Sequence, residues 1–420
     1  MNFILKSVTV QDTNSEFNGK CVDILIENGT ISRIAQHIDK DVSAIDYSEC
    51  YVSPGWFDFS AHFNDPGLEY KEGIENGLDL LVNGGFTGAG VLPNTKPVIQ
   101  RKTDISYIDS KCRHHLADLY AYGAVTIDCN GEELTEMIDM QHAGAIAFTD
   151  GLNSVGNADI LLKTLLYLQR FDGILIQRPE DARLNMFGSM HEGKVSTILG
   201  LKGMPSISEV LTIQRDLRIL EYTGGKIHFS ALSTAESVEL IKAAKDKGLK
   251  VTCDVALHQL LLNEEAVMGY DTNVKVNPPL RSEQDRKALI KGVKDGVIDV
   301  ISSHHLPQDE ENKKMEFDLA DYGMIGLQTF YPLINRLTDD VPFDVLLKCF
   351  TENPRRILGI DTGSVSEGNV SNLTVFNKNL EWTFDKSTNL SKSGNSPFLG
   401  QSMKGKVVGL INGDKSIFNL

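Results

Sequence analysis

The chain has 420 residues, 41% hydrophobic and 23% charged, a soluble globular balance with length enough to bury a large core. Its 57 Asp and Glu against 41 Lys and Arg leave a net charge of -16, which argues against a nucleic-acid surface built on clustered basic residues. Cys21, Cys50, Cys112, Cys129, Cys253 and Cys349 are scattered with no C-x-x-C, so neither a structural zinc nor a disulfide framework is indicated. The opening MNFILKSVTVQD is too short and polar for a secretory signal. No apolar run reaches the ~18 residues of a membrane span, so the expected location is the cytoplasm, away from membranes.

Residues 1–52 predict short strands, with β-branched alternation at Ile4-Leu5, Val8-Thr9-Val10, Val22 to Ile26 and Ile31 to Ile34. Glu27-Asn28-Gly29 reads as the hairpin between two of them. From about residue 54 to 355, strand and helix patterns alternate. His114-His115 falls in a helix-like, solvated stretch. Ser206-x-x-Glu209 predicts a capping box before the helix VLTIQRDLRILEYTGG. Ser233-x-x-Glu236 predicts a second, followed by Val238, Ile241 and Ala244 at helical spacing, a stop at Gly248 and the strand LKVTCDV. IDVISS, residues 298–303, reads as a buried strand, and QDEENKKMEF, residues 308–317, as a mobile surface loop. Residues 365–420 return to strand patterns in SNLTVFN, EWTF, KGKVVGLING and KSIF.

Repeated strand–helix units over this length predict a (β/α)8 TIM-like barrel at residues 54–356. The two β-rich ends, 1–53 and 357–420, are expected to meet in one small β-sandwich-like domain. A doubly wound open sheet is the competitor, but no G-x-G-x-x-G follows a strand.

Residues 53–95 read SPGWFDFSAHFNDPGLEYKEGIENGLDLLVNGGFTGAGVLPNT. With AFTDG at 147–151, ILIQRPED at 174–181, HFSALSTAES at 228–237, VNPPLR at 276–281 and ISSHHLPQ at 301–308, this resembles the dihydroorotase family of the amidohydrolase superfamily. The likeness runs from Pro54 to about Gly326, with a weaker match in the terminal strands. It implies a two-zinc site at the C-terminal ends of the barrel strands. The His-x-His of the first strand is here Ser60-Ala61-His62, and the Arg that helps hold the substrate carboxylate is Asn64. Asn94 and Asn277 stand at substrate-contacting positions, but with the other anchors replaced the favoured reading is that their Pro-flanked loops shape the mouth without a substrate. Asp150 is the carboxylate available at the metal-bridging strand. Arg178 and Ala231 replace metal-binding histidines, His304 replaces the general-base Asp, and Gln308 replaces a substrate-binding His.

Of the six family ligand positions, only His62 and Asp150 keep a ligand type, whereas zinc wants at least three protein donors. The expectation is a chain that has lost the two-metal chemistry and takes no cofactor. Zinc enters only if His62, Asp150 and His304, with His305, form a rewired mononuclear site. Arg178 is expected either as a solvated rim residue or as a guanidinium filling the metal hole and pairing with Asp150. His228 and His258 read as supporting or packing residues. The resemblance further implies a non-catalytic structural or regulatory partner of aspartate transcarbamoylase, in a homo-oligomer. The alternatives are an active dihydroorotase, closing carbamoyl-aspartate to dihydroorotate, or another cyclic-amide hydrolase.

Overall fold

A computed structural model describes residues 2–418. The chain opens with β1 (Asn2–Val10), β2 (Cys21–Glu27), β3 (Thr30–Ala35), β4 (Ser43–Asp46) and β5 (Tyr51–Pro54). The β2–β3 hairpin turns through Asn28 at φ 51° and Gly29 at φ 75°, the positive dihedrals that a two-residue hairpin demands. The barrel strands begin with β6 (Trp56–Ala61), β7 (Phe86–Val91), β8 (Asp118–Gly123), β9 (Ala147–Phe148) and β10 (Leu175–Gln177). A small ribbon of β11 (Met190–His191) and β12 (Gly203–Met204) stands off the barrel. Then β13 (Ile227–Phe229), β14 (Val251–Ala256) and β15 (Val300–Ser302) complete the set. The last strands are β16 (Asn372–Phe384), β17 (Gln401–Asn412) and β18 (Lys415–Phe418).

Eight parallel strands run in chain order from β6 to β15, β11 and β12 apart, with helices between them. The seam between first and last strands is closed by a bridge from Ala61 to His305. Side chains reinforce it. The buried Asp58 accepts from the Ser302 hydroxyl at 2.9 Å and from Ser303 N at 2.7 Å, and Ser302 Oγ accepts from Ser60 N at 3.0 Å. Phe57, Phe59, Tyr122, Ala147, Ile176 and Val300 form an apolar cluster contributed by strands around the barrel. A filled interior pushes any chemistry to the mouth, where the strands end.

Strands from both ends of the chain share the second sheet, in the order β18-β17-β16-β5-β1-β2-β3, with β4 against β1. The fold is therefore the expected barrel with a separate sheet built from both termini. Its junction with the barrel is aromatic. Trp56 is fully buried, with ring centroids 5.3 Å from Phe350 and Tyr331 and 5.6 Å from Phe376 of β16.

Two predicted helix starts need correction. Ser206 makes no side-chain cap on the helix Ile207–Thr223. Glu209, expected to cap its own helix, is buried and accepts from Ser233 N and Thr234 N, both at 3.1 Å. It thus holds the next loop rather than its own helix end. The helix Ala235–Asp246 is capped by Thr234, whose hydroxyl accepts from Ser237 N, because Glu209 occupies Ser233. Segment 308–317 contains a short helix, Glu310–Lys313, anchored by the buried Lys313.

Trp56→Ala removes the ring shared by barrel and sheet. It should destabilise the protein by about 3–5 kcal/mol, read as a lower urea midpoint.

Candidate functional site

His62 follows β6 directly and is buried. Its Nδ1 accepts from Asn64 N at 3.2 Å, which places the ring proton on Nε2, 2.9 Å from Asn94 O. Both ring nitrogens are therefore engaged with backbone, and neither lone pair is free for a metal. Burial holds the His62 pKa down to about 4, with His305 and Lys71 acting in the same direction. Ser60, on the same strand, also lines the mouth.

Asn64 sits at φ 58° and reaches Pro307 O at 3.4 Å. Asn94 joins two loops, donating to Asp150 O at 2.9 Å and accepting from Leu152 N at 2.8 Å. Asp150 is buried among donors of its own neighbourhood: Val125 N at 3.0 Å, Thr126 N at 2.9 Å and the Thr126 hydroxyl. Burial raises its pKa, against those hydrogen bonds.

Arg178 follows β10 and is neither of the residues expected. It is only 7% exposed, so it is not a solvated rim arginine, and it does not pair with Asp150. Its Nε lies 3.3 Å from Glu180 Oε2. The same oxygen accepts from Asn277 Nδ2 at 3.1 Å, and Oε1 accepts from Asn185 at 3.0 Å. Glu180 is two residues along the same loop and wins on proximity, while Asp150 is already saturated.

Asp254 on β14 is fully buried. His304 Nε2 donates to Oδ1 at 2.9 Å, His228 Nε2 to Oδ2 at 3.0 Å, and Ala231 N to Oδ1 at 2.8 Å. Burial works against its charge, but the His304 charge and both imidazole bonds outweigh it and hold the carboxyl far below its usual range. His228 is fixed from the other side by Thr252 at 2.8 Å and by the Phe59 ring at 4.3 Å. The residue in the general-base position is thus tied to a buried carboxylate through Nε2.

His305 turns away from this group, to Glu72 Oε2 at 3.0 Å. Gln308 bonds Lys71 and, at 2.8 Å, Tyr322 O. His258 lines the mouth, and burial holds its pKa down to about 3. The structure therefore does not bring His62, Asp150, His304 and His305 together as one ligand set. Among the described residues, no group of three or more His, Cys, Asp or Glu is placed to hold a metal ion.

Asp254, Glu180, Glu72 and Lys71 were not singled out from sequence. Asp254 had a signal, a carboxylate inside the otherwise buried strand LKVTCDV. Glu72 and Lys71 had none, because their partners lie more than two hundred residues away.

A family model described as dihydro-orotase-like matches residues 51–237, and an amidohydrolase family model matches residues 187–416. A dihydroorotase of Pelotomaculum thermopropionicum is 40% identical over 414 residues, 96% of each chain. The chain belongs to the dihydroorotase family of amidohydrolases. A dihydroorotase of Trichlorobacter lovleyi is 37% identical over 424 residues, covering all of both chains. Among solved structures, an L-hydantoinase (dihydropyrimidinase) from Arthrobacter aurescens superposes with a TM-score of 0.88 at 20% identity, over 100% of this chain and 96% of its own. Dihydropyrimidinase from Brevibacillus agri follows at 0.85 and 17%, over 100% and 95%. At those identities the likeness is one of fold.

Membership corrects the expectation of a chain without a cofactor, because this amidohydrolase family typically uses zinc. The residues at the family's ligand positions do not themselves fit a two-zinc centre. Ser60 and Ala231 offer no imidazole, Arg178 brings a cation, and His62 has both nitrogens occupied.

The buried neutral His62 gives a pH dependence. Unfolding restores a pKa of ~6.5, so the unfolded chain binds more protons and stability falls as pH drops from 6.5 towards 4. His62→Gln should flatten that fall by roughly 2–3 kcal/mol at pH 4.5, seen by comparing urea midpoints at pH 7 and 4.5. His258 and His191, also held low by burial, leave a residual slope in the same window.

Proposed function

We propose that this chain is a dihydroorotase-like protein of pyrimidine biosynthesis that is non-catalytic and acts as a structural or regulatory partner of aspartate transcarbamoylase. The observation that carries the reading is the set of residues at the family's metal-ligand positions, where Ser60, Arg178 and Ala231 offer no imidazole. Ring closure or opening at a cyclic amide needs the carbonyl polarised and the attacking group activated, the work of a bound metal ion in this family. The family's base position holds His304, whose Nε2 is turned into Asp254, and the positions that would activate a hydroxide hold Ser60, Arg178 and Ala231. The space left at the mouth, about 30 Å³, is also far below that of an ordinary small-molecule site.

Exposed apolar side chains beside the mouth support a partner role. Leu184, Met186 and Phe187, the last 82% exposed, lie on the loop after β10. Ile198 lies on the helix Lys194–Leu199, and Met268 and Tyr270 on the neighbouring segment, where Tyr270 Oη donates to Leu199 O at 2.9 Å. Such groupings mark protein contact surfaces.

The name of the curated relatives favours a second reading, an active dihydroorotase or other cyclic-amide hydrolase with rearranged donors. Dihydroorotate turnover, assayed with zinc and manganese supplied, separates the two. The scaffold reading expects no turnover above background, none lost in His62→Ala, and co-purification with a transcarbamoylase chain that Phe187→Asp with Ile198→Asp weakens by about tenfold. Turnover with one or two metal equivalents per chain, both lost in His62→Ala or His304→Ala, would establish the enzyme instead.

A further inference from the structure

Residues 389–396, NLSKSGNS, lie between β16 and β17 without regular secondary structure, yet Ser393, Asn395 and Ser396 among them are buried. Connections of that kind ordinarily run over the surface with their polar groups in water. This one is bonded instead to the segments that follow the first and last barrel strands. After β6, Glu72 accepts from the Ser391 hydroxyl and, at 3.2 Å, from Lys392 N. The Lys392 ammonium donates to Glu69 O at 3.1 Å, and the Ser393 hydroxyl to Lys71 O at 2.9 Å. After β15, Asn395 Nδ2 donates to Leu306 O at 3.0 Å, and its Oδ1 accepts from Gln308 N at 3.2 Å. The Asn395 carbonyl accepts from Ile325 N at 3.1 Å.

The segment after β15 forms one wall of the mouth, where His305, Leu306, Gly323 and Met324 line the cavity. Asn395 backs that wall on both of its limbs, through Leu306 and through Ile325. His305 is fixed from the same side, because the Glu72 that holds it is itself held by Ser391 and Lys392 N. Beyond β15 the wall has only isolated bridges, from His305 to Ala61 and to Met324, so its position depends on these outside bonds. Asn395 is 2% exposed, and cutting its side chain leaves Leu306 O and Gln308 N without partners away from water.

We infer that residues 389–396 are a strap that holds the barrel mouth shut, and that releasing Asn395 frees the wall of residues 305–308 and 323–326 to move out and open the cavity. The strap belongs to the sheet built from both chain ends, so that sheet sets the width of the mouth. The device is the same for a scaffold and for an enzyme.

Hydrogen exchange and diethyl pyrocarbonate labelling of the full chain, both read by mass spectrometry, test it. In Asn395→Ala, amides of residues 305–308 and 323–326 should exchange at least about tenfold faster than in the parent chain, with those of β8 and β13 unchanged. His258 lines the mouth and is buried, and its labelling should speed up by about tenfold, while that of His228, sealed inside the barrel, stays slow. Asn395→Asp keeps the size of the side chain and the bond from Gln308 N but sets an oxygen against Leu306 O. It should give the same changes, and it decides the question should Asn395→Ala fail to fold. Unchanged exchange at the wall, or unchanged labelling of His258, in a folded variant would overturn the proposal. So would labelling of His228 in step with His258, which would mean that Asn395 holds the whole fold rather than the mouth.

Discussion

A carboxylate cannot stay charged inside a packed barrel unless something pays the loss of water, and in this protein imidazoles and backbone amides do so. Asp254 is held by His228, His304 and Ala231 N, and Glu72 by His305, Ser391 and Lys392 N. Asp150, with Thr126 and two amides, and Asp58, with Ser302 and Ser303, are less fully compensated, and burial raises the pKa of both. These clusters fix where the barrel ends stop. His304, at φ 45°, is held in a left-handed backbone conformation by its bond to Asp254, and His305 next to it points the opposite way, to Glu72.

The arrangement explains why the histidines at the mouth are not gathered into one ligand set among the described residues. His62, His228, His304 and His305 are each already the partner of a particular acid or carbonyl, at distances of 2.9–3.0 Å. For His62, His228 and His305 both ring nitrogens are engaged, so recruiting one of them to a cation would cost an existing hydrogen bond. Arg178 is the opposite case, a buried donor with too few acceptors, and Glu180 satisfies it only in part. The site is thus over-supplied with acceptors at its floor and with donors at its mouth.

The barrel was legible in the sequence because each strand–helix unit carries its own period and punctuation, as in SVELIKAAKDKG before LKVTCDV. The family frame was legible because its landmarks, from SPGW to PNT and VNPPLR, are contiguous. The pairings were not. Arg178 with Glu180 is decided by the geometry of one loop, and His305 with Glu72 spans 233 residues. Glu209 was misread for the same reason. A glutamate three residues after a serine looks like a local cap, but burial turned it to Ser233 and Thr234 on another loop. Local spacing predicts elements well and predicts the partners of buried charges poorly, since those partners are chosen by the fold as a whole.

The terminal sheet has a consequence for synthesis on the ribosome. β5 ends at residue 54, and the strand that pairs its open side, β16, begins at residue 372. At ~5–20 residues per second, translation leaves that edge unpaired for about 15 to 60 seconds. The nascent amino-terminal strands must therefore wait, as a half-built sheet with an exposed flank, while the whole barrel is made. Any chain stalled before residue 372 presents an adhesive edge to its neighbours, so ribosome-bound chaperones have a longer task here than in a protein whose sheet is contiguous.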